Sequence, residues 1–166
     1  MEVLKKIRKG LDNLLTFLCV FLFAVMVIIG TYQIVVRYFF NSPSTVSEEL
    51  LTYSFTWMAL FSGALVFGKR DHMRMGFLAD KLTGKKRMIL EIVIEVLIFL
   101  FTLAVLVIGG ITITKLQFAQ VTASLGIPMG AVYLVLPFSG IVILIYNILN
   151  LIDIVKAKGQ ISRQEE

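Results

Sequence analysis

Residues 13–36 read NLLTFLCVFLFAVMVIIGTYQIVV, twenty-four positions without a charged side chain. An α-helix rises 1.5 Å per residue, so about 20 apolar residues cross the ~30 Å hydrocarbon layer of a bilayer. Working outward, residues 50–68, 96–114 and 116–152 are also free of charge, with lengths of 19, 19 and 37. The first two of these match one crossing each. The third is too long for one crossing and divides by its own chemistry. Residues 116–130 hold Gln117, Gln120, Thr122, Ser124, Gly126, Pro128 and Gly130, a loop or re-entrant composition. Residues 131–152 then supply a full span, with Pro137 predicted to kink it. The fold class predicted is all-α and polytopic, one membrane domain over residues 1–166, with spans at about 14–36, 49–68, 91–114 and 131–152.

Lys and Arg give the direction. Fourteen of the sixteen basic residues lie in the N-terminal tail, in residues 69–87 and in the C-terminal tail, while Arg37 and Lys115 stand alone on the other side. Basic residues in short loops mark the cytoplasmic side, so both termini are expected in the cytoplasm. The first apolar run is long for a cleaved signal peptide and lacks a small-residue cleavage site, so it is expected to stay as an anchor. Upstream, Val3, Leu4, Ile7, Leu11, Leu14 and Leu15 recur at helical spacing between Lys5, Lys6, Arg8, Lys9 and Asp12. That pattern predicts an interfacial amphipathic helix ahead of the first span.

Composition narrows function by exclusion. The chain is 58% hydrophobic, and little outside four spans remains for a soluble catalytic domain. One His and one Cys, His72 and Cys19, supply neither a bis-imidazole haem site nor a thiol pair. No catalytic, cofactor-binding or metal site is predicted, and the net charge of +5 reflects cytoplasmic loops rather than nucleic-acid binding. The middles of the spans carry no ionisable residue. Ion-coupled carriers usually keep such groups near the midplane, so the chain is poorly equipped to transport alone. A stand-alone exporter working as a homo-oligomer is the alternative, and that missing residue argues against it.

The remaining polar residues each have a bland reading beside the functional one. Glu91 and Glu95 share one face of the third span near its basic end, as snorkelling acids or a partner contact, with Arg87 one turn before Glu91. Thr45-Val46-Ser47-Glu48 fits a capping box opening the second span, which accounts for Glu48 but not for Glu49. Arg37, next to Tyr38, could form a salt bridge to Glu48 or Glu49 across the short connection. Trp57 sits deeper than an aromatic belt requires. Ala59, Gly63 and Ala64 form a small-residue face suited to close helix packing. His72, in a basic loop, is expected to be solvated.

The order of these landmarks resembles a known family. Arg37-Tyr38-Phe39, then Ser47-Glu48-Glu49-Leu50, Trp57, Gly63-Ala64, Arg70 and His72, followed by Leu125-Gly126-Ile127-Pro128, Tyr133 and Leu136-Pro137, are similar to the small membrane subunit, DctQ type, of tripartite ATP-independent periplasmic (TRAP) transporters. Val46 stands where that family often has Trp, and Gly76 where it often has an acid. The resemblance implies a scaffold subunit in a bacterial inner membrane. It implies two partners, a large DctM-type subunit driven by sodium and a periplasmic binding protein that captures an organic acid. It also implies that Arg37, Tyr38, Glu48, Glu49, Trp57, Gly63, Arg70, His72 and Pro128 are candidate interface or structural residues, with membrane lipids around them.

Overall fold

A computed structural model describes residues 2–69 and 85–161. Four of its helices or helix runs are long and apolar enough to cross a membrane: Leu4–Phe39, Thr45–Gly68, Ile92–Gln117 and Met129–Ile154. The chain is an all-α, multi-pass membrane protein.

Helix α1 runs from Glu2 to Phe39 without a break. The amphipathic stretch is helical as its spacing predicts, but it continues directly into the first span. Gly10 alone does not stop a helix, and no Pro intervenes. Thirty-eight residues extend roughly 57 Å, well beyond the hydrocarbon layer, so α1 must tilt or project from it. It ends where Asn41 takes a left-handed φ of 46°, two residues before Pro43. Asn is among the few residues that accept that conformation at a helix end.

Helix α2 spans Thr45–Lys69. Its start is capped one residue earlier than the capping-box pattern proposed. The Ser44 hydroxyl accepts the Ser47 N–H at 3.4 Å and the Ser47 hydroxyl at 3.1 Å. Ser44 is the cap and Ser47 the third helical residue, so Glu48 is free for another role.

The third span is one helical run of three parts: α3 (Lys85–Phe101), a π-helical segment (Thr102–Gly109) and α4 (Gly110–Gln117). At the end of the π segment Gly110 N–H reaches back to Val105 O. Phe118 to Pro128 form the turn between the third and fourth spans. Helix α5 (Met129–Tyr133) then breaks at Leu134 before α6 (Val135–Ile161). Pro137 accounts for the break, because it donates no hydrogen bond and its ring opposes the carbonyl four residues back, that of Tyr133.

Helix α6 is the hub, packing against α2, α3 and the π segment, while α1 packs mainly on α2. The core is Leu15, Phe61, Ala64, Val135, Val142, Ile143 and Tyr146. Glycines allow the close approaches. A Cβ on Gly140 of α6 would lie 2.9 Å from Leu106 Cβ in the π segment, and one on Gly110 would lie 3.1 Å from Leu136 and Pro137. The first and third spans leave large apolar residues such as Phe17, Ile28 and Leu97 open, the normal dress of a lipid-facing helix. Thr31, Thr52, Thr56 and Thr112 satisfy their hydroxyls on carbonyls four residues back, so their presence in spans needs no ligand.

Candidate functional site: two polar clusters at opposite ends of the bundle

One cluster lies at the end holding the turns at residues 40–44 and 118–128. Glu49, Tyr53, Trp57 and Phe61 are spaced four apart, which places them on one face of α2. That face meets the second half of the chain. The Glu49 carboxylate accepts Ser124 N–H at 3.1 Å on one oxygen and Leu125 N–H at 3.0 Å on the other. The Tyr53 hydroxyl lies 3.7 Å from the Met129 sulfur. Trp57 Nε1 donates to Val132 O at 3.0 Å, beside the helix break. Phe61 meets Trp57 and Phe138 edge to face, with ring centroids 6.0 and 5.8 Å away. Ala64 and Gly68 continue the same face into the core.

The receiving loop is ordered by its own backbone. Val121 and Pro128 form an antiparallel bridge. Thr122 N–H donates to Ile127 O at 2.8 Å, the buried Thr122 hydroxyl accepts Ile127 N–H at 3.1 Å, and Met129 N–H donates to Gln120 O at 2.8 Å. Gly126 closes the turn with φ +65°, a conformation other residues adopt only under strain. Pro128 precedes α5 with φ −60° and ψ 127°, so it marks the exit from the loop.

The two adjacent acids therefore part company. Successive helical residues point about 100° apart, so Glu49 faces the loop while Glu48 faces α1. There Glu48 accepts Gln33 Nε2 at 3.2 Å. Among the described residues no ion pair joins Arg37 to either acid, and Arg37 and Tyr38 are exposed. The small-residue face also divides: Ala64 is fully buried, whereas a Cβ on Gly63 would meet nothing within 4 Å. The closely packed glycine is Gly68. Arg70 and His72 lie outside the described residues, as does the side chain of Glu91.

The second cluster lies at the basic end and ties three elements together. Arg8 of α1 donates to Asn150 Oδ1 at 2.9 Å and pairs with Asp153 at 3.0 Å. The Tyr146 hydroxyl donates to Asp12 at 2.5 Å. Asn147 Nδ2 donates to both the backbone oxygen and the carboxylate of Glu95, at 2.9 and 2.5 Å. Glu95 thus meets α6 of its own chain. Asn147 and Asn150 are buried, and polar contacts of this kind between membrane helices contribute about 0.6–2 kcal/mol each. The exposed Arg8–Asp153 pair adds less. Sequence reading passed over Tyr146, Asn147 and Asn150, although Asn147 and Asn150 stand three apart within an uncharged run.

The molecule is thus a membrane-embedded helical frame pinned at both ends by polar contacts, with an apolar middle. The sequence-family model for the DctQ component of tripartite ATP-independent periplasmic transporters matches residues 26–157, and the chain belongs to that family: it is a small transport subunit of a TRAP transporter. It is 31% identical over 159 residues to the sialic acid TRAP transporter small permease protein SiaQ of Vibrio cholerae, covering 92% of this chain and 88% of that protein. Two Haemophilus influenzae proteins, provisionally named TRAP transporter small permease proteins, are 26% and 27% identical over 152 and 136 residues. The alignments cover 91% and 82% of this chain and 93% and 82% of those proteins.

Proposed function

We propose that this chain is the scaffold subunit of a sodium-coupled importer of organic acids in a bacterial inner membrane. A large DctM-type elevator subunit carries the ions and the acid, and a periplasmic binding protein delivers the acid. The observation that carries this reading is the distribution of charge. Charged side chains gather at the two ends of the bundle, where they bond helices and loop to one another, and the middles of the spans have none. A frame needs such pins, whereas a carrier needs ionisable groups along its path. The acid is of the carboxylate class, a C4-dicarboxylate, a sialic acid or another sugar acid; the name of the Vibrio cholerae relative supports that class.

Vesicles holding this chain alone are expected to take up no acid when a sodium gradient is applied. Vesicles holding it with the large subunit and the binding protein are expected to do so. Sodium-driven uptake by the chain alone would reject the scaffold role.

In this reading the basic end is cytoplasmic and the 118–128 loop periplasmic. Single cysteines at residues 120–126 should react with an impermeant maleimide added to intact spheroplasts, and cysteines at residues 81–86 only after lysis. The reverse pattern would overturn the topology.

A further inference from the structure

Thr31, Thr52, Thr56 and Thr112 bond back to a carbonyl one turn earlier, but Thr114 does not. Thr114 is 5% exposed, and its hydroxyl has no hydrogen-bond partner among the described residues. The amide oxygen of Gln117 is likewise shielded and unpartnered. Residues three apart on a helix are neighbours, so these two groups share one face of α4. Inside a bilayer no bulk water reaches such oxygens, and leaving them unbonded is costly.

Close contacts fix what lies opposite. Gly140 of α6 packs on Leu106, Gly110 of α4 on Leu136 and Pro137, and Gly130 of α5 on the Phe118 ring. The third and fourth spans therefore run antiparallel in a steady register, in which four residues forward on one match four residues back on the other. Thr114, four after Gly110, comes level with Tyr133, four before Pro137. The Tyr133 carbonyl is the one that Pro137 leaves without its helical donor. The carbonyl before it, that of Val132, accepts Trp57 Nε1 at 3.0 Å. Two unbonded side-chain oxygens thus stand at the level of a backbone oxygen that has lost its donor.

We propose that Thr114, Gln117 and the Tyr133 carbonyl bind one ordered water in the break of the fourth span. The water accepts the Thr114 O–H and donates one hydrogen each to Gln117 Oε1 and the Tyr133 carbonyl. Three bonds is the usual number for a buried water. Two oxygens each about 2.8 Å from a shared water stand up to about 5.6 Å apart, which matches neighbouring side chains on one helix face. A cation fits this site less well. The three oxygens are neutral, Lys115 adjoins Thr114 in the chain, and the Glu49 carboxylate is taken up by the Ser124 and Leu125 N–H groups. A charge there would be desolvated without a counter-charge. Indole and water then serve consecutive carbonyls, so that the break carries no unmet backbone oxygen. The inference concerns the fold of the chain itself and stands whether or not the scaffold reading holds.

The sign of one substitution tests it. Thr114→Val keeps the shape of the side chain and removes the hydroxyl. If the hydroxyl binds water, the ratio of folded to unfolded full-length chain in mixed micelles should fall about fivefold, the effect of one lost hydrogen bond. If the hydroxyl is merely buried and unbonded, the same change should raise that ratio. Thr114→Ser, which keeps the hydroxyl, should stay closer to wild type than Thr114→Val. An experimental map of the full chain fine enough to show waters should hold density about 2.8 Å from both Thr114 Oγ1 and Gln117 Oε1. That density should be missing in Thr114→Val. A ratio at or above wild type in Thr114→Val overturns the proposal, as does a wild-type map without that density. Density that appears in sodium salts and vanishes in choline salts overturns it too, because the occupant would then be a cation.

Discussion

Gly68→Ala is expected to destabilise the bundle by about 1–3 kcal/mol, and Gly68→Leu by more, through overpacking. A Cβ at residue 68 would lie 2.6 Å from both Cε1 and Cζ of Tyr146 and 2.8 Å from Cδ1. Real carbon atoms do not approach so closely, so the ring or the helix must move. The ring has nowhere to go. Tyr146 is 0% exposed, and its hydroxyl is bonded to Asp12 of α1. Moving it separates α2 from α6 and also breaks the tie to α1, so one added methyl disturbs three helices. Unfolding in mixed micelles would measure the loss. Gly68→Ala combined with Tyr146→Leu, which removes the obstructing ring, should recover part of it. An unchanged midpoint for Gly68→Ala would mean that α2 and α6 pack less closely here than their glycine implies.

The chain's overall plan was legible because lipid imposes a simple rule. Without water to satisfy the backbone, each crossing must be a long uncharged helix, and four such runs stand out. Pro137 and the Gln-Ser-Gly-Pro cluster of residues 117–128 likewise announce their break and turn, because those residues fix or free the backbone locally. The continuity of α1 was harder to read, since a periodic amphipathic pattern is the same whether a helix lies flat or runs on into the membrane. The π segment left no signature in its apolar sequence; it occurs where α6 presents Gly140.

The site was legible in part. Glu49, Trp57 and Pro128 drew notice by residue type, and the structure gives each a definite contact or place in the chain. What spacing alone could not supply was the partner. Arg37 is the nearest cation to Glu49 in the sequence, yet the acid turns to two backbone N–H groups in a loop 75 residues away. The heptad-like series 49, 53, 57, 61, 64, 68 was present throughout as the buried face of α2. Ala59, Gly63 and Ala64 suggest a different packing face, because small residues stand out in a span. Of that face only Ala64 is fully buried. In a membrane, where apolar side chains are as content in lipid as in a core, burial cannot be inferred from hydrophobicity; the polar and aromatic members of a stripe are the better guide.

Trp57 is the member of that stripe whose removal should cost most. Trp57→Ala deletes the indole that packs edge to face on Phe61 and withdraws the donor from Val132 O. Large-to-small changes at packed aromatic positions cost about 3–5 kcal/mol in soluble proteins. Trp57 is only half-buried and lipid can enter part of the space, so about 3 kcal/mol is expected here. Trp57→Phe separates the two contributions. It keeps an aromatic ring against Phe61 but leaves Val132 O without its side-chain donor, at a cost of about 0.6–2 kcal/mol. That carbonyl sits beside the break at Leu134, one residue before the Tyr133 carbonyl that Pro137 leaves without its helical donor. The indole therefore braces the weakest point of the fourth span. Amide exchange in Trp57→Phe should accelerate around residues 133–138 while exchange at the basic end, held by Asp12, Tyr146, Glu95 and Asn147, stays at the wild-type rate. Uniform acceleration along the whole span would show that Trp57 stabilises the bundle globally and that the break needs no brace.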